Sequence, residues 1–248
     1  MSSNLTPPAS DSPSGLGLPP RPYPGLRAFD REEWPVFFGR ETMAEAIMRR
    51  LQRNRLVVVH GSSGSGKSSL IFAEVLPQLQ RRRHRQGTRL AIVSMRPGST
   101  PLRTLAATLH HLAADVGART NRATVGAPNF ADLRIILARG GLAAAGLEDF
   151  VAAAGFDQLC LYIDQFEELF RYTRETDSDE ARLFAEVLVG LAVRDPEDMD
   201  SDETAAESGL ETLPAEAPRS SDGPCVVLPR ICAVVTMRSE FFGDCARY

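Results

Sequence analysis

The stretch Gly61-Ser62-Ser63-Gly64-Ser65-Gly66-Lys67-Ser68 follows the apolar run Leu56-Val57-Val58-Val59 and opens a helical pattern. It fits G-x-x-x-x-G-K-[ST] without deviation, and the pattern stands in the strand–loop–helix setting that its chemistry needs. Glycines let the backbone curl until successive N–H groups face one point. The helix that starts near Lys67 adds its positive end there, which makes the loop a phosphate cradle. The phosphate-holding set read from this pattern is Gly61, Ser62, Ser63, Gly64, Ser65, Gly66, Lys67 and Ser68, to which the next residue, Ser69, is added. Lys67 reaches the terminal phosphate oxygens, and the Ser68 hydroxyl is a ligand for magnesium.

Lys67 is the sole lysine among 28 lysine and arginine residues. Arginine is a planar fork that meets phosphate from the side, whereas an ammonium is a compact point charge that fits inside a ring of backbone amides. A chain that otherwise uses arginine meets a steric demand at this one position.

Around the loop, strand and helix patterns alternate. The strands are expected at 55–60, 89–95, 158–164 and 230–237. Helices are expected at 41–53, from Ser68 to about Gln80, from Pro101 onward, and near 130–138, 142–153, 166–170 and 179–192. Short strands that are apolar on both faces and separated by helices imply an α/β fold with a mainly parallel sheet between two helical layers. Ligands of such sheets bind at the carboxyl ends of the strands.

The strand Leu159-Cys160-Leu161-Tyr162-Ile163 ends in Asp164, the form in which a carboxylate is offered to a nucleotide-bound magnesium ion. The competing reading is a solvated aspartate favoured by the start of the next helix. Gln165 follows, where hydrolysing relatives of the additional-strand type often carry a water-activating glutamate. Glu167 and Glu168, one helical turn further on, are the candidates for that role, and each reads equally well as a solvated carboxylate. Arg238, at the end of the last strand, is expected to face the terminal phosphate or to pair with Glu240.

Composition excludes more than it selects. The chain has 248 residues, 43% hydrophobic and 24% charged, with a net charge of -4, as an ordinary globular protein has. No apolar run approaches the roughly 18 residues of a membrane span, and the N-terminus lacks the order of a secretory signal, so the expected location is cytoplasmic, with no membrane partner. Residues 1–21 are rich in Pro, Ser and Gly and read as a disordered tail. Residues 195–224 are acidic and read as a disordered insertion within a core spanning 22–248. Cys160, Cys225, Cys232 and Cys245 lack metal spacing, as do His60, His84, His110 and His111. The cluster Arg81-Arg82-Arg83-His84-Arg85 has no interleaved aromatics and reads as a solvated helix end, so no specific nucleic-acid partner is expected.

Several stretches resemble the STAND class of signal-transduction NTPases, and within it the novel STAND NTPases. They are PYPGLRAFDREEWPVFFGRE at 22–41, GSSGSGKSSL at 61–70, RPGSTPLRTLA at 96–106, IDQFEELF at 163–170 and VVTMRSEFFGDCARY at 234–248. The resemblance implies a three-layer P-loop NTPase core that binds ATP or another NTP with magnesium. It also implies that Phe38, Gly39 and Arg40 lie beside the base and ribose, that Asp164-Gln165-Phe166-Glu167-Glu168 acts as a D-G-x-D-E-like motif, and that Arg238 senses the terminal phosphate. Such proteins carry a fifth strand, a helical lid and C-terminal repeats that sense a stimulus. The expectation is an incomplete core that lacks the fifth strand and the lid and works with sensor domains, partner proteins or further copies of itself.

The function expected is therefore an ATP-binding switch module with slow, magnesium-dependent hydrolysis, in bacterial signalling or defence by resemblance. Two other readings of the same residues stand beside it: a scaffold that binds nucleotide without hydrolysing it, and a small-molecule kinase.

Overall fold

A computed structural model describes residues 39–120, 128–172, 178–193 and 229–247. The expected tail 1–21, the expected insertion 195–224, Phe38 and Cys225 lie outside these residues.

The chain alternates helix and strand: α1 (Glu41–Arg53), β1 (Leu56–Gly61), α2 (Lys67–Leu70), a π-helical turn (Ile71–Val75), α3 (Leu76–Arg85), β2 (Leu90–Met95), α4 (Pro101–Thr120), α5 (Phe130–Leu137), α6 (Ala143–Ala153), β3 (Gln158–Ile163), α7 (Glu168–Tyr172), α8 (Ser178–Ala192) and β4 (Ile231–Arg238). The strands form one sheet in the order β1-β4-β3-β2, with every neighbouring pair parallel. This is the expected α/β architecture of a P-loop NTPase-like fold.

Strand periodicity divides the core in two, because successive side chains leave a strand on opposite faces. Leu159, Leu161 and Ile163 of β3, with Ile231, Ala233, Val235 and Met237 of β4, pack under α4, α5, α6 and α8. The alternate residues Cys160, Tyr162, Cys232 and Val234 pack under α1 and the α2–α3 helix. Burial of each large apolar side chain contributes about 1.5–3 kcal/mol, so both helical layers are held by the same two central strands.

Residues of the same parity at the strand ends face the α2 side. Thus Tyr162, Asp164, Thr236 and Arg238 share the face on which Lys67 and Ser68 begin their helix. Sequence periodicity carries this result, provided that β3 and β4 are neighbours.

Three details depart from expectation. The helix after the glycine loop begins at Lys67 and runs past Gln80 to Arg85, broken only by the π turn. Arg83 is buried on it, at helical spacing from buried Leu76 and Leu79, so the basic cluster is not wholly solvated. The apolar strand β1 is an edge of the four-stranded sheet, with Val58 39% exposed, rather than covered on both faces.

Candidate functional site

The loop between β1 and α2 gets its shape from glycine. Gly64 and Gly66 have φ values of 73° and 81°, in the left-handed region where a Cβ is disfavoured. Gly66 is also the residue before the helix, and no side chain caps the first-turn amides there. A helix start without a side-chain cap presents N–H donors to an incoming anion.

Lys67 folds over its own loop. Its Nζ donates to the carbonyl oxygens of Gly61 at 3.0 Å and Ser62 at 2.8 Å, and lies 3.5 Å from Ser65 Oγ. Arg40, the residue before α1, donates from its guanidinium to the Ser65 carbonyl at 2.7 Å and covers Gly66. Gly39 donates its N–H to the carboxylate of Glu41, the first residue of α1, at 3.1 Å. Ser62, Ser63 and Gly64 form the exposed rim, while Ser65, Ser68 and Ser69 are half-buried.

The strand-end carboxylate lies against the loop helix. Asp164 is 4% exposed, and its Oδ1 accepts from the hydroxyls of Ser68 at 2.7 Å, Thr236 at 2.7 Å and Tyr162 at 2.9 Å. Its Oδ2 faces the Arg96 guanidinium at 3.5 Å. Burial, and then the adjacent Asp164 carboxylate, push the Tyr162 phenol well above its ordinary value, so it stays a proton donor to that carboxylate. An edge-on contact with Phe72 of the π turn fixes the Tyr162 ring, with centroids 4.9 Å apart.

The two glutamates have separate tasks. Glu167 is 6% exposed, accepts from the Arg238 backbone N–H at 3.2 Å and pairs with Arg238 Nε at 3.3 Å. Arg238 also reaches Glu240 at 3.5 Å. It lies opposite Gly61 in the β1–β4 pairing, beside the entrance of the glycine loop. Glu168 instead accepts the Gly98 N–H at 3.2 Å and so ties down the loop that follows β2. Gln165, between the strand and these glutamates, takes a left-handed φ of 54°, a conformation rare for residues other than glycine. That turn carries Glu167 back toward β4 and leaves Glu168 on the β2 side.

The structure thus gathers Lys67, Ser68, Asp164, Glu167 and Arg238 at the carboxyl ends of β1, β3 and β4, with Arg40 over the loop. Sequence reasoning did not single out Tyr162, Thr236 or Arg96 as parts of the site. Tyr162 and Thr236 did leave a signal, as isolated polar side chains in otherwise apolar strands of the right parity. Arg96 left a weaker one, as a cation directly after a strand end.

The donor set fits magnesium. Ser68 Oγ and the Asp164 carboxylate are hard oxygen donors already in contact, beside a loop built for an anion. Among the described residues no group of three or more His, Cys, Asp and Glu side chains gathers as a metal site of another kind, and no helix is long and apolar enough to cross a membrane.

One family model, described as Novel STAND NTPase 1, matches residues 22–248. No curated protein and no solved structure matches the chain.

Proposed function

The chain belongs to the novel STAND NTPases, and from that premise we propose that it is a nucleotide-dependent switch that binds ATP with magnesium and hydrolyses it slowly. The observation that carries the reading is the 2.7 Å contact between Ser68 Oγ and Asp164 Oδ1, which joins the glycine loop to the end of β3. Backbone amides of Gly64, Gly66 and the first helical turn hold phosphate oxygens. The Lys67 ammonium exchanges its bonds to the Gly61 and Ser62 carbonyls for oxygens of the terminal phosphates. Ser68 and Asp164 hold magnesium, whose charge offsets that on the phosphate oxygens.

Glu167 is the better placed of the two glutamates for hydrolysis, because it lies on the β4 side next to Arg238 while Glu168 is engaged with Gly98. When Arg238 turns to the terminal phosphate, Glu167 accepts the proton of an attacking water. The new bond joins that water's oxygen to the γ-phosphorus, and the bond to the β–γ bridging oxygen breaks. Arg40 steadies the loop through Ser65, with Gly39 and Phe38 beside the base in this reading. Signalling, a cytoplasmic setting, sensor repeats or partner proteins, and nucleotide-dependent self-association accompany the family reading.

The Glu167–Arg238 pair favours a second reading, in which nucleotide is bound and not hydrolysed. Purified chain with ATP and magnesium separates the two. In the switch reading, wild type binds ATP and releases phosphate, Lys67→Ala loses binding, and Glu167→Gln keeps binding without turnover. Binding without turnover in the wild type leaves the scaffold. Phosphate transfer to an added metabolite in place of water supports a kinase and overturns both.

A further inference from the structure

Asp164 uses its two oxygens differently. Oδ1 is surrounded by the hydroxyls of Ser68, Tyr162 and Thr236, which takes up the acceptor capacity of one carboxylate oxygen. Among the described residues, the polar partner of Oδ2 is the Arg96 guanidinium. The two side chains are unequally exposed, 6% for the side chain of Asp164 and 59% for that of Arg96. The backbone beside Arg96 is fixed, because Met95 pairs with Ile163 and its carbonyl accepts the Asp164 N–H at 2.9 Å. Two residues on, the Gly98 N–H is held by Glu168. Arg96 is therefore a long cationic side chain with an immobile base and a solvent-exposed head, resting on the one oxygen of Asp164 that hydroxyls leave accessible.

We infer that Arg96 is the cation that rests on Asp164 Oδ2 in the empty site, reaches the polyphosphate when nucleotide arrives, and yields Oδ2 to magnesium when the metal loads. The inference deepens the proposed nucleotide reading and rests on it. Two cations cannot share one carboxylate oxygen at close range without strong repulsion, so the guanidinium and the metal compete for Oδ2. A displaced guanidinium needs an anion nearby, and its planar fork suits phosphate oxygens as well as it suits a carboxylate. Arg96 thereby gives nucleotide a further positive contact beside Lys67 and Arg238 and makes metal occupancy felt in the loop after β2. It is a nucleotide-contacting and metal-coupled residue that neither the glycine loop nor the strand-end carboxylate identifies.

The test measures binding in the full chain, with ATP titrated first in the presence of a chelator and then at fixed ATP against increasing magnesium. Arg96→Gln removes the competing charge. It is expected to bind metal-free ATP roughly three- to fivefold more weakly, and to reach half-saturation at roughly three- to fivefold less magnesium, the scale of one half-exposed charge contact. Arg96→Lys keeps the charge and is expected to lie closer to wild type on both axes, whereas Arg103→Gln, an arginine on nearby α4, is expected to match wild type. Equal metal-free affinity and equal magnesium demand in wild type and Arg96→Gln would overturn the inference. If Arg96→Gln fails to fold, Arg96→Ala takes its place, and a metal-free affinity and a magnesium demand both equal to those of wild type count against the role. Failure of the underlying reading looks different, since wild type itself then binds no ATP, with or without magnesium. Binding that is abolished by Lys67→Ala and untouched by Arg96→Gln sinks the inference alone.

Discussion

Thr236 donates its hydroxyl to Asp164 Oδ1 at 2.7 Å across the β3–β4 pair, on the same oxygen that Ser68, in the first turn of α2, reaches. Both partners are nearly inaccessible, at 1% and 4% exposure. Thr236→Val keeps the side-chain volume and removes the donor. The expected loss is about 1–3 kcal/mol of unfolding free energy, the scale of a bond to a buried charged acceptor. Equilibrium denaturation measures it, and an unchanged midpoint would mean that Asp164 does not depend on this contact.

Lys67→Arg is expected to fail almost as completely as Lys67→Ala, although it conserves charge. The ammonium sits among the Gly61 and Ser62 carbonyls and Ser65 Oγ, a space that a planar guanidinium does not fit. ATP affinity should fall by roughly 10- to 150-fold in either variant, equivalent to about 1.5–3 kcal/mol for one charge-assisted bond. Calorimetric titration with ATP reads the difference, and near-normal affinity in Lys67→Arg would refute the steric account of the single lysine.

Glu167→Gln and Glu168→Gln should separate the two glutamates. Loss of the Glu167 carboxylate is expected to lower phosphate release by about 10²- to 10⁴-fold, the usual contribution of a general base, with ATP binding within a few-fold of wild type. Loss of the Glu168 carboxylate weakens only the tie to Gly98 and is expected to leave turnover within roughly tenfold. The opposite ranking in a phosphate-release assay would exchange their roles.

Glu74 gives a pH prediction remote from the site chemistry. It is 7% exposed within the π turn, where it accepts a hydrogen bond from Gln78, and burial raises its carboxyl above the ordinary value of 4.5. A raised carboxyl means that the folded state holds its proton after the unfolded chain has released it. Stability from this group is therefore full below 4.5 and declines as pH rises from there through the raised value. Glu74→Gln should flatten that decline and raise the neutral-pH melting temperature. A variant that melts lower than wild type at neutral pH, with the slope retained, contradicts this account.

Gly190→Ala tests the packing of α8. A Cβ at this position would collide with the Gly141 carbonyl in the 3-10 turn Gly140–Leu142, a backbone group that cannot rotate away. Overpacking of this kind is expected to destabilise by about 1–3 kcal/mol, measured by thermal or denaturant unfolding.

The alternation of apolar runs and helical spacings made the four strands and the helix after the loop legible, and Gly61–Ser68 and Asp164 were legible because each had its structural setting beside it in the chain. What was not legible depended on strand order. Thr236 in a strand reads as ordinary β-propensity until β4 is known to lie beside β3, and Tyr162 reads as core until Asp164 turns back over it. Leu56–Val59 looks like any buried strand, because apolar content does not tell an edge from a centre. Arg83 reads as solvated because a basic cluster at a helix end is ordinarily hydrated, but its helical spacing from Leu76 and Leu79 puts it on the buried face. Glu167 and Glu168 were indistinguishable until the left-handed turn at Gln165 sent them to opposite sides.

The hydroxyl cluster on Asp164 also bears on how the chain acquires its site. Ser68 and Thr236 lie 96 and 72 residues from Asp164 in sequence and meet it only when β4 is seated between β1 and β3 in register. A slip of one residue in β4 would send Thr236 to the opposite face and bring Val235 to the carboxylate. The pocket is therefore a gauge of correct sheet assembly. A nucleotide that binds only there draws the population toward the one strand register that can receive it.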